Sequence, residues 1–171
     1  KSTLINALMG DKMSITTSKP QTTRHRILGI YNEEDYQIVF SDSPGIIASP
    51  HYKMQTSMNR FAKSSFEDAD ILIVMTDTFS EMEENLDFIH RIKNVNVPTF
   101  LVINKIDQLS EQQIEASLAW WNDVAKFDRV FKISALAQTN IDALLNEIKS
   151  LLPEFPPYFP KDQISDRPER F

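Results

Sequence analysis

Cysteine is absent from the 171 residues, which excludes disulfides and thiolate-held metals and leaves the cellular compartment open. Histidine occurs three times, at His25, His51 and His90. These are too scattered for a transition-metal centre, and no grouping resembles a catalytic triad. No stretch approaches the ~18 consecutive apolar residues of a membrane span. No internal repeat or low-complexity tract is present. Positive charge is in deficit: 18 Lys and Arg stand against 24 Asp and Glu, giving a net charge of −6 and a pI near 5.1. Such a chain can hold a phosphate locally but grips RNA poorly by itself. Glycine is scarce, with three residues, and none precedes the opening Lys1-Ser2-Thr3. No secretory leader is visible, which is uninformative in a chain that opens inside a motif. Proline is plentiful only near the end, in P-E-F-P-P-Y-F-P at 153–160. That stretch suits neither helix nor central strand and reads as a linker.

Most informative of what is present is Asn104-Lys105-Ile106-Asp107, at the end of the apolar run 100–103. Guanine offers N1–H and an exocyclic N2–H₂ as neighbouring donors, and one carboxylate, Asp107, can accept from both. Adenine shows a bare N1 acceptor on that edge and would meet the carboxylate lone pair to lone pair. A site built this way rejects the base that lacks the donors. Asn104 can hold the loop and reach the base from its other edge, and the Lys105 stem can lie along the purine plane. A polar turn at a strand end would use the same residue types, so order along the chain matters.

Lys1-Ser2-Thr3 running into 4–8 looks like the tail of G-x-x-x-x-G-K-[ST]. There Lys1 would reach the β- and γ-phosphates and Ser2 would bind Mg²⁺ at a helix N-terminus. Asp42-Ser43-Pro44-Gly45 follows the strand-like run 36–40. Asp42 could hold a metal-bound water, and Gly45 lets a backbone N–H approach a γ-phosphate, although an Asp-x-Pro-Gly turn reads equally well in isolation. Ser134-Ala135-Leu136 ends the run 130–133, where a backbone N–H could contact the guanine O6.

Alternation of segments supplies the frame. Strands are expected at 26–31 and 36–41 around a hairpin turn at 32–35. Further strands, buried on both faces, are expected at 71–76, 98–104 and 130–134. Helices are expected at 53–66, 83–93, 111–126 and 140–152. This pattern predicts an α/β fold with a mostly parallel sheet and helices on both faces. Ligands of such sheets bind beyond the strand carboxyl ends, which is where Asp42, Asn104 to Asp107 and Ser134 fall. Trp120-Trp121 with Leu118 and Val124 fits core packing on an amphipathic helix better than a partner face. The acidic run 81–84 fits a helix first turn.

Taken together, Lys-Ser-Thr, Thr22-Thr23-Arg24, D-x-P-G, N-K-x-D and S-A-L in this order resemble the translation-factor-related GTPases, and among them the Era family. Two segments narrow the resemblance: P-Q-T-T-R-H-R at 20–26 and F-P-K-D-Q-I-S-D-R at 159–167. The related tRNA-modification and double-domain GTPases usually carry Asp where this chain has His25. The resemblance implies a three-layer P-loop NTPase fold, with a first strand and phosphate-cradling glycines that the chain does not contain. It implies a GTPase domain at 1–152 and a linker at 153–171 leading to a KH RNA-binding domain. It also implies hydrolysis of GTP to GDP with Mg²⁺, held by Ser2, Asp42 through water, and Thr23 (or Thr22) in the GTP state only. Lys1 and the Gly45 N–H would serve the transferring phosphate, and a monovalent cation could join them. Segments 15–26 and 45–59 would then order and relax together. Partners implied are guanine nucleotide, and 16S rRNA with the small ribosomal subunit. The protein would be a cytoplasmic monomer, with a peripheral inner-membrane association as a further location.

Ile46 stands just after D-x-x-G, where Ras-type enzymes place a water-orienting Gln. Slow intrinsic turnover is therefore expected. Two alternatives remain at this point: a non-catalytic nucleotide-binding module, and a tRNA-modification GTPase domain. A P-loop ATPase fits worst, because Asp107 would repel adenine.

Overall fold

The structure, a computed structural model, describes residues 1–10, 27–42, 66–77 and 86–163. The chain falls into two compact units, 1–67 with 153–171, and 68–152.

The first unit opens with helix α1 (Ser2–Met9), which buries Leu4, Leu8 and Met9 along one face. Gly10 stops it at φ 63° and ψ −146°, backbone angles open essentially to glycine alone. Strands β1 (Ile27–Asn32) and β2 (Gln37–Asp42) pair antiparallel, from Ile27 opposite Asp42 to Asn32 opposite Gln37. This is the expected hairpin, each strand shifted by one residue. Along β2 the period-2 alternation buries Ile38, Phe40 and Asp42, and α1 packs against both strands. Near the turn, the Tyr31 and Tyr36 rings stack with centroids 5.9 Å apart. A hydrogen bond to Glu33, followed by burial, pushes the Tyr31 phenol up from its ordinary pKa.

The proline-rich segment is tied to this hairpin. Gln37 Nε2 donates to the Phe159 carbonyl at 2.9 Å while Gln37 Oε1 accepts from the Phe159 N–H at 3.0 Å. One side-chain amide thus imitates a strand pair. Asn32 Nδ2 donates to the Gln163 carbonyl and Lys161 Nζ to the Glu34 carbonyl, both at 2.8 Å. Gln37→Ala removes both hydrogen bonds to Phe159, of about 1 kcal/mol each, together with the one Gln37 Nε2 donates to Asn32 Oδ1 at 2.6 Å. Protection of the Phe159 N–H from hydrogen exchange is therefore expected to fall about tenfold or more, with the amides of the second unit unaffected. Unchanged protection would show that the amide does not hold the segment in solution.

In the second unit, β3 (Leu72–Thr76), β4 (Thr99–Ile103) and β5 (Arg129–Lys132) form a parallel sheet in that order. Between them run α2 (Leu86–Asn94) and α3 (Glu111–Val124), with α4 (Ile141–Leu151) after β5. The alternating α/β order matches the sequence expectation. Strand β4 is buried throughout, with Phe100, Leu101, Val102 and Ile103 fully inaccessible. Burial on both faces does not extend to its neighbours. Strand β3 buries Val74 and Thr76 alone, and β5 buries none of its four residues, with Val130 42% exposed. In the described sheet β5 has a strand on one side only, so less of it is covered.

Strand β5 also stops before Ser134, because the next residue changes task. The Ile133 N–H donates to the Ile103 carbonyl at 2.8 Å, and its carbonyl accepts from the Ile106 N–H at 3.2 Å. Helix α3 ends two residues earlier than expected, at an extended Ala125 from which the chain turns toward β5. Trp121 is fully buried, with ring contacts to Trp120 (4.9 Å) and Phe127 (5.6 Å), so Trp121 belongs to the core while Trp120 is half-buried beside it. His90 is exposed on α2. The expected helix at 53–66 (Phe66 aside), the start of the one at 83–93, and the acidic run 81–84 lie outside the described residues.

Candidate functional site

Lys1, Ser2 and Asp42 meet in the first unit. Alternation along β2 places Asp42 on its buried face, 4% exposed, and Ser2 Oγ donates to Asp42 Oδ2 at 2.6 Å. The hydroxyl spends its proton on the carboxylate, so its oxygen lone pairs remain for a hard cation. Lys1 is exposed as a whole residue, yet burial of its ammonium lowers the pKa, against the opposing pull of the Asp42 carboxylate. An anion beside it would restore the charged form. Thr3 lies on the exposed side of α1.

Among the described residues, no three His, Cys, Asp or Glu side chains group as metal ligands. A hydroxyl backed by one carboxylate fits Mg²⁺, which keeps several waters and shares substrate oxygens. Thr22, Thr23 and Gly45 lie outside the described residues, as do His25, His51 and Ile46.

The second unit carries the other predicted residues. Asn104 follows β4 and is 7% exposed; its N–H donates to the Thr76 carbonyl at 2.7 Å. Its Oδ1 accepts from the Ala135 N–H at 3.0 Å, and because the partner is a donor, the amide orientation is fixed and Nδ2 is left to donate. N-K-I-D and S-A-L, 31 residues apart, are thus bound together by a buried side chain. Ser134 is fully buried; its N–H donates to the Thr139 carbonyl and its Oγ accepts from the Ala137 N–H. Of the tripeptide's three backbone N–H groups, those of Ser134 and Ala135 are engaged and that of Leu136 has no partner among the described residues; the Leu136 side chain is 75% exposed.

Asp107 sits exposed in the short 3₁₀ turn Ile106–Gln108. That turn is held at one end by Ile133 and at the other by a capping box that starts α3. Ser110 Oγ accepts from the Gln113 N–H, and Gln113 Oε1 accepts from the Ser110 N–H. The carboxylate is therefore presented on an anchored loop.

Lys105 takes left-handed backbone angles, φ 63° and ψ 34°, which cost a non-glycine residue about 1 kcal/mol. Its ammonium is ion-paired with Asp77, just past β3. Asp77 is not marked by any motif, although an acid directly after the apolar run 71–76 obeys the strand-end rule that singles out Asp42.

A family model described as a 50S ribosome-binding GTPase matches residues 1–105. GTPase Era of Alkaliphilus metalliredigens is 40% identical over 171 residues, covering 99% of this chain and 58% of that protein. The chloroplastic GTPase ERA1 of Zea mays is 41% identical over 174 residues, covering all of this chain and 42% of that protein. The chain thus spans under three-fifths of the length of these relatives. Among solved structures, Era in complex with MgGDPNP and nucleotides 1506–1542 of 16S ribosomal RNA superimposes with a TM-score of 0.80. It is 37% identical, over 98% of this chain and 57% of that one. A variant of Aquifex aeolicus Era bound to GDP and AlF₄⁻ gives the same TM-score at 36% identity, with the same coverage.

Proposed function

Because the chain belongs to the 50S ribosome-binding GTPase family, we propose that it binds guanine nucleotide with Mg²⁺ and hydrolyses GTP to GDP and phosphate, as an Era-like switch. The observation that carries the reading is the Asn104–Ala135 hydrogen bond. It unites the two base-recognition motifs, which lie in separate parts of the sequence, beside an exposed Asp107. Asp107 would accept from guanine N1–H and N2–H₂, Asn104 Nδ2 would donate to the other edge, and the Leu136 N–H would face O6.

Lys1 would bind the phosphates, and Ser2, backed by Asp42, would hold Mg²⁺. When bound, that ion neutralises charge developing on the phosphate oxygens. Thr23 (or Thr22) and Gly45 enter as further contacts through the family resemblance alone, as does a monovalent cation. Little covalent chemistry falls to the protein in this reaction, so positioning and neutralisation carry the rate.

The family description names the large ribosomal subunit, whereas the similar Era structure carries 16S rRNA. The second similarity spans nearly the whole chain, so we assign the action to the small subunit. The acidic charge of −6 suits RNA contacts made by a separate KH domain beyond the 153–171 linker. The protein would work as a monomer in the cytoplasm, with the membrane periphery as a second location. No helix among the described residues is long and apolar enough to cross a membrane.

Phosphate release by the full-length protein tests the activity. Ile46 in place of a water-orienting side chain predicts turnover of roughly 10⁻⁴ to 10⁻² per second without a partner. Tight GDP binding with no phosphate release above buffer would instead make the chain a non-catalytic module.

A further inference from the structure

We propose that Asp77 is a positioning residue for base recognition, holding the Lys105 ammonium away from Asp107 so that the Asp107 carboxylate stays open to guanine. The inference rests on the reading of N-K-I-D as the guanine site. Its geometry comes from the sheet. Thr76 and Ile103 are register partners in parallel β3 and β4, and the Asn104 N–H donates to the Thr76 carbonyl. The residues just past both strands are therefore brought side by side. Lys105 turns left-handed there, and its ammonium pairs with Asp77 Oδ2.

Both side chains are well exposed, 52% for Lys105 and 34% for Asp77. Ion pairs in that setting add little to fold stability, so the useful consequence of this one is orientation. Lys105 stands two residues from Asp107 and has two carboxylates to choose from. An ammonium on Asp107 would compete with the base for the same oxygens. Paired with Asp77 instead, it leaves those oxygens free and extends its apolar stem in a fixed direction.

The test uses full-length protein and competition of GDP and IDP against a fluorescent GDP. Hypoxanthine lacks the N2 amino group, so the GDP-over-IDP preference reads the availability of the Asp107 carboxylate. Asp77→Asn is expected to weaken GDP about fivefold and to narrow that preference, while Asp77→Glu restores both. In a Lys105→Met background, which keeps an apolar stem without the charge, Asp77→Asn is expected to change nothing. Three results overturn the proposal: an unaltered preference in Asp77→Asn, equal losses with and without Lys105, or a failure of Asp77→Glu to rescue. A wild-type protein that binds no guanine nucleotide would instead remove the nucleotide reading itself, and this inference with it.

Discussion

Asp107→Asn is expected to weaken GDP binding about a hundredfold or more and to create affinity for xanthine nucleotide. A carboxylate accepts from N1–H and N2–H₂ together, and hydrogen bonds to a charged group contribute about 1.5–3 kcal/mol each. An asparagine can accept from N1–H through its oxygen, but its NH₂ then confronts the guanine amino group donor to donor. Xanthine carries a carbonyl at that position and accepts from the same NH₂. The exposed setting of Asp107 confines the change to recognition, since surface substitutions usually shift stability by no more than about 0.5 kcal/mol. Competition by XDP, measured beside thermal unfolding, checks both halves. An unchanged base preference would remove Asp107 from the site.

Asp42→Asn should act on Mg²⁺ dependence. The asparagine oxygen can still accept the Ser2 hydroxyl proton, so the 2.6 Å contact is preserved in kind while the negative charge behind it is lost. Loss of such an outer-shell partner typically costs 10–100-fold in metal affinity. The Mg²⁺ concentration giving half-maximal turnover is expected to rise by about that factor, with activity recovered at saturating Mg²⁺. The Lys1 pKa should fall further, because the Asp42 carboxylate is what opposes its lowering by burial. An identical Mg²⁺ titration curve would dissociate Asp42 from the cation.

The parts of this molecule that follow from local rules were legible in the sequence. The 27–42 hairpin follows from two alternating runs around a polar turn, and the buried β4 from an unbroken apolar stretch. The proposed reading of N-K-I-D rests on specific chemistry, since few arrangements need an acceptor pair facing two donors, and the hydrogen bond from the Ala135 N–H to Asn104 Oδ1 adds a link the sequence does not show. Packing context was harder to read. Val130 and Phe131 look as apolar as Phe100 and Leu101, and only the sheet order makes β5 exposed where β4 is buried.

Tertiary side-chain contacts were beyond reach. Gln37 clasps a backbone 122 residues away, and a glutamine at a strand start announces nothing of the kind. Asp77 is inconspicuous in the sequence for a simpler reason. An acid after an apolar run is common, and its meaning appears only once Lys105 turns left-handed beside it.

The most direct measurement is equilibrium competition of GDP, IDP, XDP and ADP for one labelled guanine nucleotide on the full-length protein. Selection by one carboxylate predicts GDP first, IDP weaker by the loss of one hydrogen bond, and XDP and ADP far behind. ADP competing as well as GDP would contradict it.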